Sequence, residues 1–405
     1  MDGLRVLVVA FLLCVAPIGG VVVASDTVSE PQQTTEGSDT SMSVVTVENS
    51  SEYLAPSADA IDRSGQRTAG LDVAGALEAD SGELQSVYLF ETLQRQYRNA
   101  DTDDERRAVL ERGAERLARH VEEIEAKERT AIRRFNDGDV GEYELLRTLA
   151  TVHREAAETD EALEWLEAAA NDVGVEDVSE RATTEQVRLV PMNGPVRDQL
   201  SRTTESGLSA RMYVETAGDG VVLAAVDRTG DTYLREAHDP TAKAVDVPDQ
   251  YDGNPSPALD RFSELYPWSI GSFDAIDAIG PAQVRLYRFG AGHPHGELAT
   301  YLDSGSTEII YETQWIDTDS VPTESRQRTD GDLRLVLDTT RAGGPLGVSV
   351  LDTVTDERVD ATIELNGDSV GSTGGDRLWT VAPRGTVTVE ATHGGETATF
   401  ETNFE

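Results

Sequence analysis

The sequence predicts a multi-domain α+β protein: a helical coiled-coil hairpin or three-helix bundle, then a central antiparallel α+β domain, then a C-terminal β-sandwich. Three features of the hydrophobic pattern predict this order. Before residue 173, apolar residues recur every three or four positions, which is the period of a helix. After residue 185 they alternate with polar residues, as in half-buried strands. After residue 330 the alternating segments are short and separated by glycine-rich turns, which is typical of a small sandwich.

The charge balance restricts the possible partners. The chain has 75 acidic and 34 basic residues and a net charge of -41. Nucleic acids and anionic membranes are therefore excluded as partners recruited by long-range attraction. Lys127 and Lys243 are the two lysines, and the other basic residues are arginines. This composition resembles that of haloarchaeal proteins, which implies folding in concentrated salt.

The N-terminal segment is predicted to be a secretory signal peptide covering residues 1–24. Arg5 precedes the apolar run Val6–Ala16, a Pro-Ile-Gly-Gly sequence interrupts it, and small residues favour cleavage after Ala24. The alternative is an uncleaved anchor, because residues 6–24 nearly reach the ~30 Å of a bilayer core. Residues 25–52 are rich in Ser, Thr and Glu and are predicted to form a flexible tail. Asn49 begins an Asn-Ser-Ser triplet and is a candidate glycosylation site.

Residues 53–173 are predicted to form the helical bundle. A helix is expected over Glu83–Asn99, and Thr102 with Glu105 fits a capping box before a second one. The apolar seam of that second helix skips one position, which is occupied by Glu128, and the seam of the third skips Thr159. Two interpretations stay open: a bundle that buries its own apolar stripe, or a docking surface for a partner helix. The seam of the second helix consists of Leu110, Ala114, Leu117, Val121, Ile124, Ala131 and Phe135.

Residues 185–325 are predicted to form the central α+β domain. Val221–Val226 reads as a strand of a hairpin, and Asp260–Trp268 reads as a helix with one apolar face. A last hairpin is expected to pair Leu298–Asp303 with Glu308–Ile316. Strands interrupted by one main helix predict an antiparallel sheet covered on one face.

Residues 330–405 are predicted to form an Ig-like or transthyretin-like β-sandwich, preceded by a polar linker over Thr323–Asp330. The Asn366-Gly367 pair marks a hairpin turn. The segments Val359–Gly367 and Leu378–Ala391, with a Pro-Arg-Gly turn in the second, are similar to carboxypeptidase-regulatory-like and PEGA-like sandwich modules. The whole chain resembles a family of exported haloarchaeal proteins. That resemblance implies an extracytoplasmic location and an adhesion or spacer role for the sandwich, and it supplies no catalytic residue.

Few residues suggest chemistry, and no catalytic or cofactor-binding residue is predicted. Ser369 lies in a Gly-x-Ser-x-Gly pattern, but an Asn-Gly hairpin is the wrong context for a nucleophile elbow. His293, His295 and Glu297 are weak candidates for metal ligands, and a solvated loop is the expected alternative. Among the four tryptophans, Trp379 is the candidate for stacking on a ligand.

These observations predict a non-enzymatic binding or scaffold protein at the cell surface. Its expected partner is an envelope protein or a glycan, and no cofactor is predicted. The alternative is a regulator or inhibitor of an exported peptidase, because the hairpin around Tyr301 and Tyr311 is loosely similar to PepSY-type domains.

Overall fold

A computed structural model describes residues 41–45, 53–69, 73–206, 210–227, 229–244, 247–269, 273–281 and 284–405. The predicted signal peptide, its cleavage site at Ala24 and the candidate glycosylation site Asn49 lie outside these residues. The described residues confirm a multi-domain α+β protein, with a helical region followed by β-sheet-rich parts.

Five helices follow one another in the first half of the chain: α1 Val73–Arg98, α2 Asp103–Asn136, α3 Glu142–Val173, α4 Glu176–Leu189 and α5 Pro195–Ser206. The predicted capping box is present, because the Thr102 side chain accepts from the Glu105 backbone N–H and the Glu105 side chain accepts from the Thr102 backbone N–H. The predicted seam of α2 is buried, with Leu110, Leu117, Val121 and Ile124 at most 1% exposed.

The helices continue further than the sequence predicted. The bundle was expected to end at residue 173 and strands to begin near residue 185, whereas α4 and α5 fill most of residues 176–206. The burial of Val178 with Ala182, and of Val196 with Leu200, shows the spacing of four that marks a helix face. The threonines of these two helices, Thr183, Thr184, Thr203 and Thr204, weaken the helical signal, because Thr lowers helix propensity.

An eight-stranded antiparallel sheet forms the centre of the molecule, with the strand order β3-β4-β5-β6-β10-β9-β8-β7. The hairpins β4-β5 and β9-β10 confirm two predictions. The pairing of β6 with β10 joins the two halves of the sheet. Its strands are β3 Arg63–Ala69, β4 Ala210–Ala217, β5 Gly220–Val226, β6 Thr232–His238, β7 Phe273–Ile279, β8 Leu286–His293, β9 Gly296–Asp303 and β10 Ile309–Asp317.

Both faces of this sheet are covered, whereas the sequence predicted cover on one face. Helices α2, α3 and α5 pack on one face around Met212, Val214 and Leu223. On the other face, helix α6 (Pro255–Leu265) packs through Phe262 against Phe289. Successive side chains of a strand point to opposite faces of the sheet. Val222 and Leu223 of β5 are both buried, so both faces of this strand are covered.

The segment before the helices forms strands, which corrects two predictions. Strand β1 (Met42–Val45) lies in the region expected to be a flexible tail, and it pairs with β2 (Tyr53–Pro56). The region 53–173 was expected to be helical, but β2 and β3 are strands. Buried polar contacts hold β2: the Leu54 backbone N–H donates to Glu312 Oε2 at 2.7 Å, and Arg235 donates to both the Leu54 carbonyl and Glu312.

The C-terminal part is a β-sandwich of two four-stranded sheets, in the orders β11-β12-β13-β16 and β15-β14-β17-β18. The predicted linker is instead the edge strand β11, whose exposure on both sides explains its polar sequence. Asn366 and Gly367 have φ values of 52° and 83°, which confirms the hairpin turn. The strands are β11 Glu324–Asp330, β12 Leu333–Thr339, β13 Pro345–Asp352, β14 Thr362–Leu365, β15 Asp368–Ser372, β16 Arg377–Val381, β17 Gly385–His393 and β18 Glu396–Phe404.

The sandwich contacts the central sheet directly. Tyr233 of β6 donates to the Gly343 carbonyl at 2.5 Å, and Arg384 pairs with Glu215 of β4 at 2.8 Å. Both Tyr233 and Glu215 are buried. None of the described helices combines the length and apolar character needed to cross a membrane.

Candidate functional site

A groove runs between the helices and the half of the central sheet that they leave partly open. Its floor is formed by side chains of β7 to β10, and its wall by α3, α4 and the turn Val190–Met192 leading into α5. The enclosed volume is about 580 Å³. Pockets of roughly 300–1,000 Å³ suit small ligands, so this groove has an appropriate size.

A second hollow continues the groove along the floor. It measures about 840 Å³ and shares Arg288, Ala299 and Trp315 with the first. Ala275, Gly290 and Ala299 leave room above the sheet in this hollow, because their side chains are small or absent. The two hollows together form one extended surface that suits a chain-like ligand.

Aromatic side chains line the groove. Trp315 and Tyr301 are partly exposed, and the rings of Tyr301 and Tyr311 lie 5.4 Å apart. Tyr311 is 3% exposed, and its hydroxyl has no hydrogen-bond partner among the described residues. Burial raises the pKa of Tyr311 well above its usual value, and the nearby Glu236 carboxylate adds to the effect. The phenol is therefore neutral and available to donate or accept a hydrogen bond.

Two titratable side chains of α3 line the wall. His153 Nδ1 lies 2.9 Å from the Met192 carbonyl oxygen, and its Nε2 is 4.0 Å from Asp198 Oδ1. Burial lowers the pKa of His153, which keeps the imidazole neutral at pH 7. Burial and the Glu164 charge raise the pKa of Asp160 to about 6. The wall therefore offers a neutral imidazole and a carboxyl group that is mostly ionised at pH 7.

The charged side chains that line the groove are mostly acidic. The two hollows include six carboxylates and one guanidinium, that of Arg288, which lies 3.4 Å from Asp277. An anionic ligand is disfavoured by this balance. The six carboxylates belong to Asp160, Asp198, Asp231, Glu297, Asp317 and Asp319.

A buried ionic cluster beside the groove joins helix α5 to helix α2 and strand β6. Arg197 of α5 donates to Glu128 of α2 at 2.7 Å and to Glu236 of β6 at 2.8 Å. Burial opposes ionisation of Glu128, but the Arg197 charge and His238 outweigh it and lower the pKa of Glu128 to about 2. For Glu236 burial prevails over Arg197, so its pKa is raised. The cluster fixes the position of α5 against the sheet.

Gly194 closes the cluster at the start of α5. A Cβ atom at this position would lie 1.8 Å from Glu236 Oε2 and 2.4 Å from the Tyr311 hydroxyl oxygen. The Val196 backbone N–H donates to Glu236 Oε2 at 3.1 Å, so this carboxylate also caps the helix. Only glycine allows such a close approach of the chain to the cluster.

The candidate residues from the sequence lie elsewhere. His293 ends strand β8 and His295 lies in the turn that follows it; His293 packs 5.1 Å from Trp268, and burial lowers the pKa of His293 to about 4. Glu297 lies on β9 at the far end of the groove. No group of three or more His, Cys, Asp or Glu side chains within the described ranges is arranged to hold a metal ion.

The remaining two candidates lie in the sandwich. Ser369 lies within strand β15 rather than at a strand-to-helix turn. Trp379 is on β16, beside Arg377 and the cluster around Tyr213, so it does not line the groove.

Sequence reasoning did not identify the buried cluster or the groove. One signal was present, because Glu128 interrupts an apolar seam, and the structure shows this carboxylate 3% exposed beside Arg197. Glu236 and Arg197 give no comparable signal, since a polar residue on a strand or a short helix normally faces solvent.

Three family models match consecutive parts of the chain. A domain of unknown function (DUF7096) matches residues 1–209, which is more than half of the chain. A family of unknown function (DUF7094) matches residues 212–322. An archaeal fibronectin-III type-like domain matches residues 324–400, so the predicted sandwich is confirmed, with a fibronectin-like family in place of the carboxypeptidase-regulatory-like and PEGA-like resemblance. No curated protein and no solved structure matches the chain.

Proposed function

The chain belongs to the DUF7096 family, and we propose that it is a non-enzymatic binding protein of the cell exterior that holds its partner in the groove. The observation that supports this proposal is the groove itself. It combines two adjoining hollows of about 840 Å³ and about 580 Å³, and the Arg197 cluster fixes the position of α5 at its edge. A preformed concave surface of this kind favours binding without a large ordering cost.

The ligand that fits the lining best is a neutral glycan. Trp315 and Tyr301 offer aromatic faces of the type that stack on sugar rings. The carboxylates of Asp160 and Asp198 and the Asn193 amide supply acceptors and donors for sugar hydroxyl groups. The acidic lining disfavours nucleic acid and anionic lipid, as does the net charge of -41.

A binding role is favoured over catalysis by the state of the lining groups. Nucleophilic catalysis needs a base within about 3 Å of a nucleophile. In the groove, His153 is engaged by the Met192 carbonyl at 2.9 Å, and its other nitrogen lies 4.0 Å from Asp198. The tyrosine hydroxyl of Tyr311 is kept protonated by its raised pKa.

Location and environment are part of the proposal. The apolar segment ending at Ala24 supports export, and the acidic composition with two lysines supports a halophilic, haloarchaeal origin. The partner would then be a glycan, or a glycan-bearing protein, of the cell envelope. The alternative of a regulator of an exported peptidase uses the same surface, because hairpin β9-β10 carries both Tyr301 and Tyr311.

The experiment compares two tryptophan variants of the full chain. Neutral oligosaccharides released from envelope glycoproteins are titrated in ~3 M KCl against the unaltered protein, Trp315→Ala and Trp379→Ala. Loss of one stacking ring should weaken binding by about 1–3 kcal/mol, or roughly 5- to 140-fold, in Trp315→Ala only. Trp379→Ala serves as the control, because its ring lies outside the groove.

The same preparation distinguishes the two functional classes. A photoreactive group at position 301, used in native envelopes, should capture glycan or glycoprotein. Capture of a peptidase would support the regulator instead. Equal glycan affinity of the unaltered protein and folded Trp315→Ala would contradict the groove as the binding site.

A further inference from the structure

The two lysines of the chain differ in their surroundings. The chain has 34 basic residues and only two of them, Lys127 and Lys243, are lysines. Lys127 forms an ion pair at 2.6 Å with Glu155, which is buried. The Lys243 side chain is partly buried, directly after the turn Pro240–Ala242, and its ammonium has no hydrogen bond or ion pair with any residue in the described parts of the chain. A partly buried cation without a counter-ion is unfavourable, so this position requires an explanation.

Lys243 lines a cavity of about 380 Å³ that is separate from the groove. Helix α4 and the following turn separate the two, since Gln186, Val190 and Asn193 face the groove while Val187, Arg188 and Met192 face the cavity. The cavity is within the size range of small-molecule sites.

The carboxylates that line this cavity are already paired. Glu125 accepts two hydrogen bonds from Arg188, at 2.6 and 3.0 Å. Glu128 accepts from Arg197 at 2.7 Å, and Asp219 accepts from Arg133 at 2.7 Å at both oxygens. Each of these acids is therefore engaged by a guanidinium, and none of them forms an ion pair with Lys243 in the described structure.

Other nearby charges do not change this conclusion. Asp303, Glu125 and Glu185 attract the Lys243 ammonium and Arg188 repels it, but burial is the largest effect and lowers the pKa of Lys243. Asp303 Oδ2 is occupied by the backbone N–H groups of Ala244, Gly305 and Ser306. His238 lines the same cavity, and its Nδ1 has no hydrogen-bond partner within the described structure.

Apart from these groups and Arg129, which pairs with Glu125 at 3.6 Å, the cavity wall is apolar. A ligand that combines an anionic head with an apolar body fits this division better than an inorganic anion, which would leave the apolar wall uncovered. The apolar wall consists of Val187, Pro191, Met192, Pro240 and Ile310.

We propose that this cavity binds a small organic carboxylate, with the Lys243 ammonium as its counter-ion and the apolar wall around Pro191 and Ile310 as the contact for its carbon chain. The ion pair compensates the partly buried charge, and the apolar contact supplies selectivity over the chloride that surrounds a halophilic protein. This site is independent of the glycan proposal, because no residue lines both the cavity and the groove.

The two lysines make a direct test possible. Protein labelled with nitrogen-15 at lysine Nζ gives two side-chain signals by NMR, and Lys127 serves as the internal reference. Isovalerate is the probe, isovaleramide is its uncharged match, and KCl stays constant at ~3 M. The expected result is a saturable shift of the Lys243 signal with isovalerate alone, while the Lys127 signal stays in place.

Three variants complete the test. Lys243→Met should weaken isovalerate binding by roughly tenfold or more, because it removes one partner of a buried charge pair. Lys243→Arg keeps the charge and should stay within a few-fold of the unaltered protein, and Trp315→Ala should bind isovalerate normally. An unmoved Lys243 signal in the unaltered protein would overturn the proposal, as would an equal shift with isovaleramide or a shift with sulfate alone.

Discussion

Replacing Arg197 by Met tests whether the buried cluster fixes the wall of the groove. Arg197 is 1% exposed and pairs with Glu128 at 2.7 Å and with Glu236 at 2.8 Å. Methionine keeps much of the apolar stem and removes the charge. The variant would leave two buried carboxylates without a cation.

The expected loss is large. Removing one partner of a buried ion pair costs about 3–5 kcal/mol, and here one guanidinium serves two carboxylates, so we expect the upper part of that range. The loss should depend on pH. A carboxyl group whose pKa is lower in the folded than in the unfolded state stabilises the folded protein at pH values above its unfolded-state pKa. This contribution is lost as the pH falls through its folded-state pKa. For Glu128 the window runs from its ordinary 4.5 down to about 2, so the difference between the two proteins should shrink over that range.

The assay is urea unfolding at constant ~3 M KCl, followed by the circular dichroism of the helices. Arg202→Met is the matched control, because Arg202 lies on the same helix and its side chain is 76% exposed beside Asp198. An exposed pair contributes about 0–1 kcal/mol, so the control should unfold almost like the unaltered protein. If both variants lose the same stability, or if the Arg197→Met deficit is constant with pH, the reasoning about the cluster is wrong.

Four further predictions follow from the same structure. Gly194→Ala should destabilise the protein by about 1–3 kcal/mol in urea unfolding, because its Cβ would lie 1.8 Å from Glu236 Oε2. Gly290→Ala is the control and should be nearly neutral, because the atom nearest to its Cβ would be 3.7 Å away. The pKa of Asp160 is about 6 in the folded protein, against an ordinary 3.8, so its contribution to stability is present at low pH and is lost as the pH rises through this range. Asp160→Asn should remove this decrease of the free energy of unfolding with pH. A fragment of residues 324–405 should give dispersed amide resonances in concentrated salt and a fragment of residues 331–405 should not, because the latter lacks β11. Circular dichroism of the full chain should show folding in ~3 M KCl and loss of structure in ~0.1 M, since the Debye length rises from about 3 to about 10 Å; equal spectra would contradict the halophilic interpretation.

Local patterns were sufficient for most of the helices and for several strands. Thr102 and Glu105 located the start of α2, and the spacing of Leu110, Leu117 and Ile124 identified its buried face. Asn366 and Gly367 identified the turn between β14 and β15, because few residues tolerate positive φ. Each of these signals depends on neighbours within one or two turns of the chain.

The same patterns failed where long-range contacts decide the structure. Strand β2 is four residues long, too short to show a period, and its burial depends on Arg235 and Glu312, which lie far along the chain. Strand β11 read as a linker, because an edge strand exposed on both sides carries no alternating pattern.

The sequence by itself determined the composition, the order of helical and strand-rich parts, the C-terminal sandwich and the interruption of an apolar seam at Glu128. Only the tertiary structure decided that Glu128 meets Arg197 and Glu236, and that Lys243 faces a cavity. The physical reason is the pairing of β6 with β10 under α2 and α5, which brings together side chains from distant segments. Periodicity records which face of an element is buried, and it carries no information about the partner that covers that face.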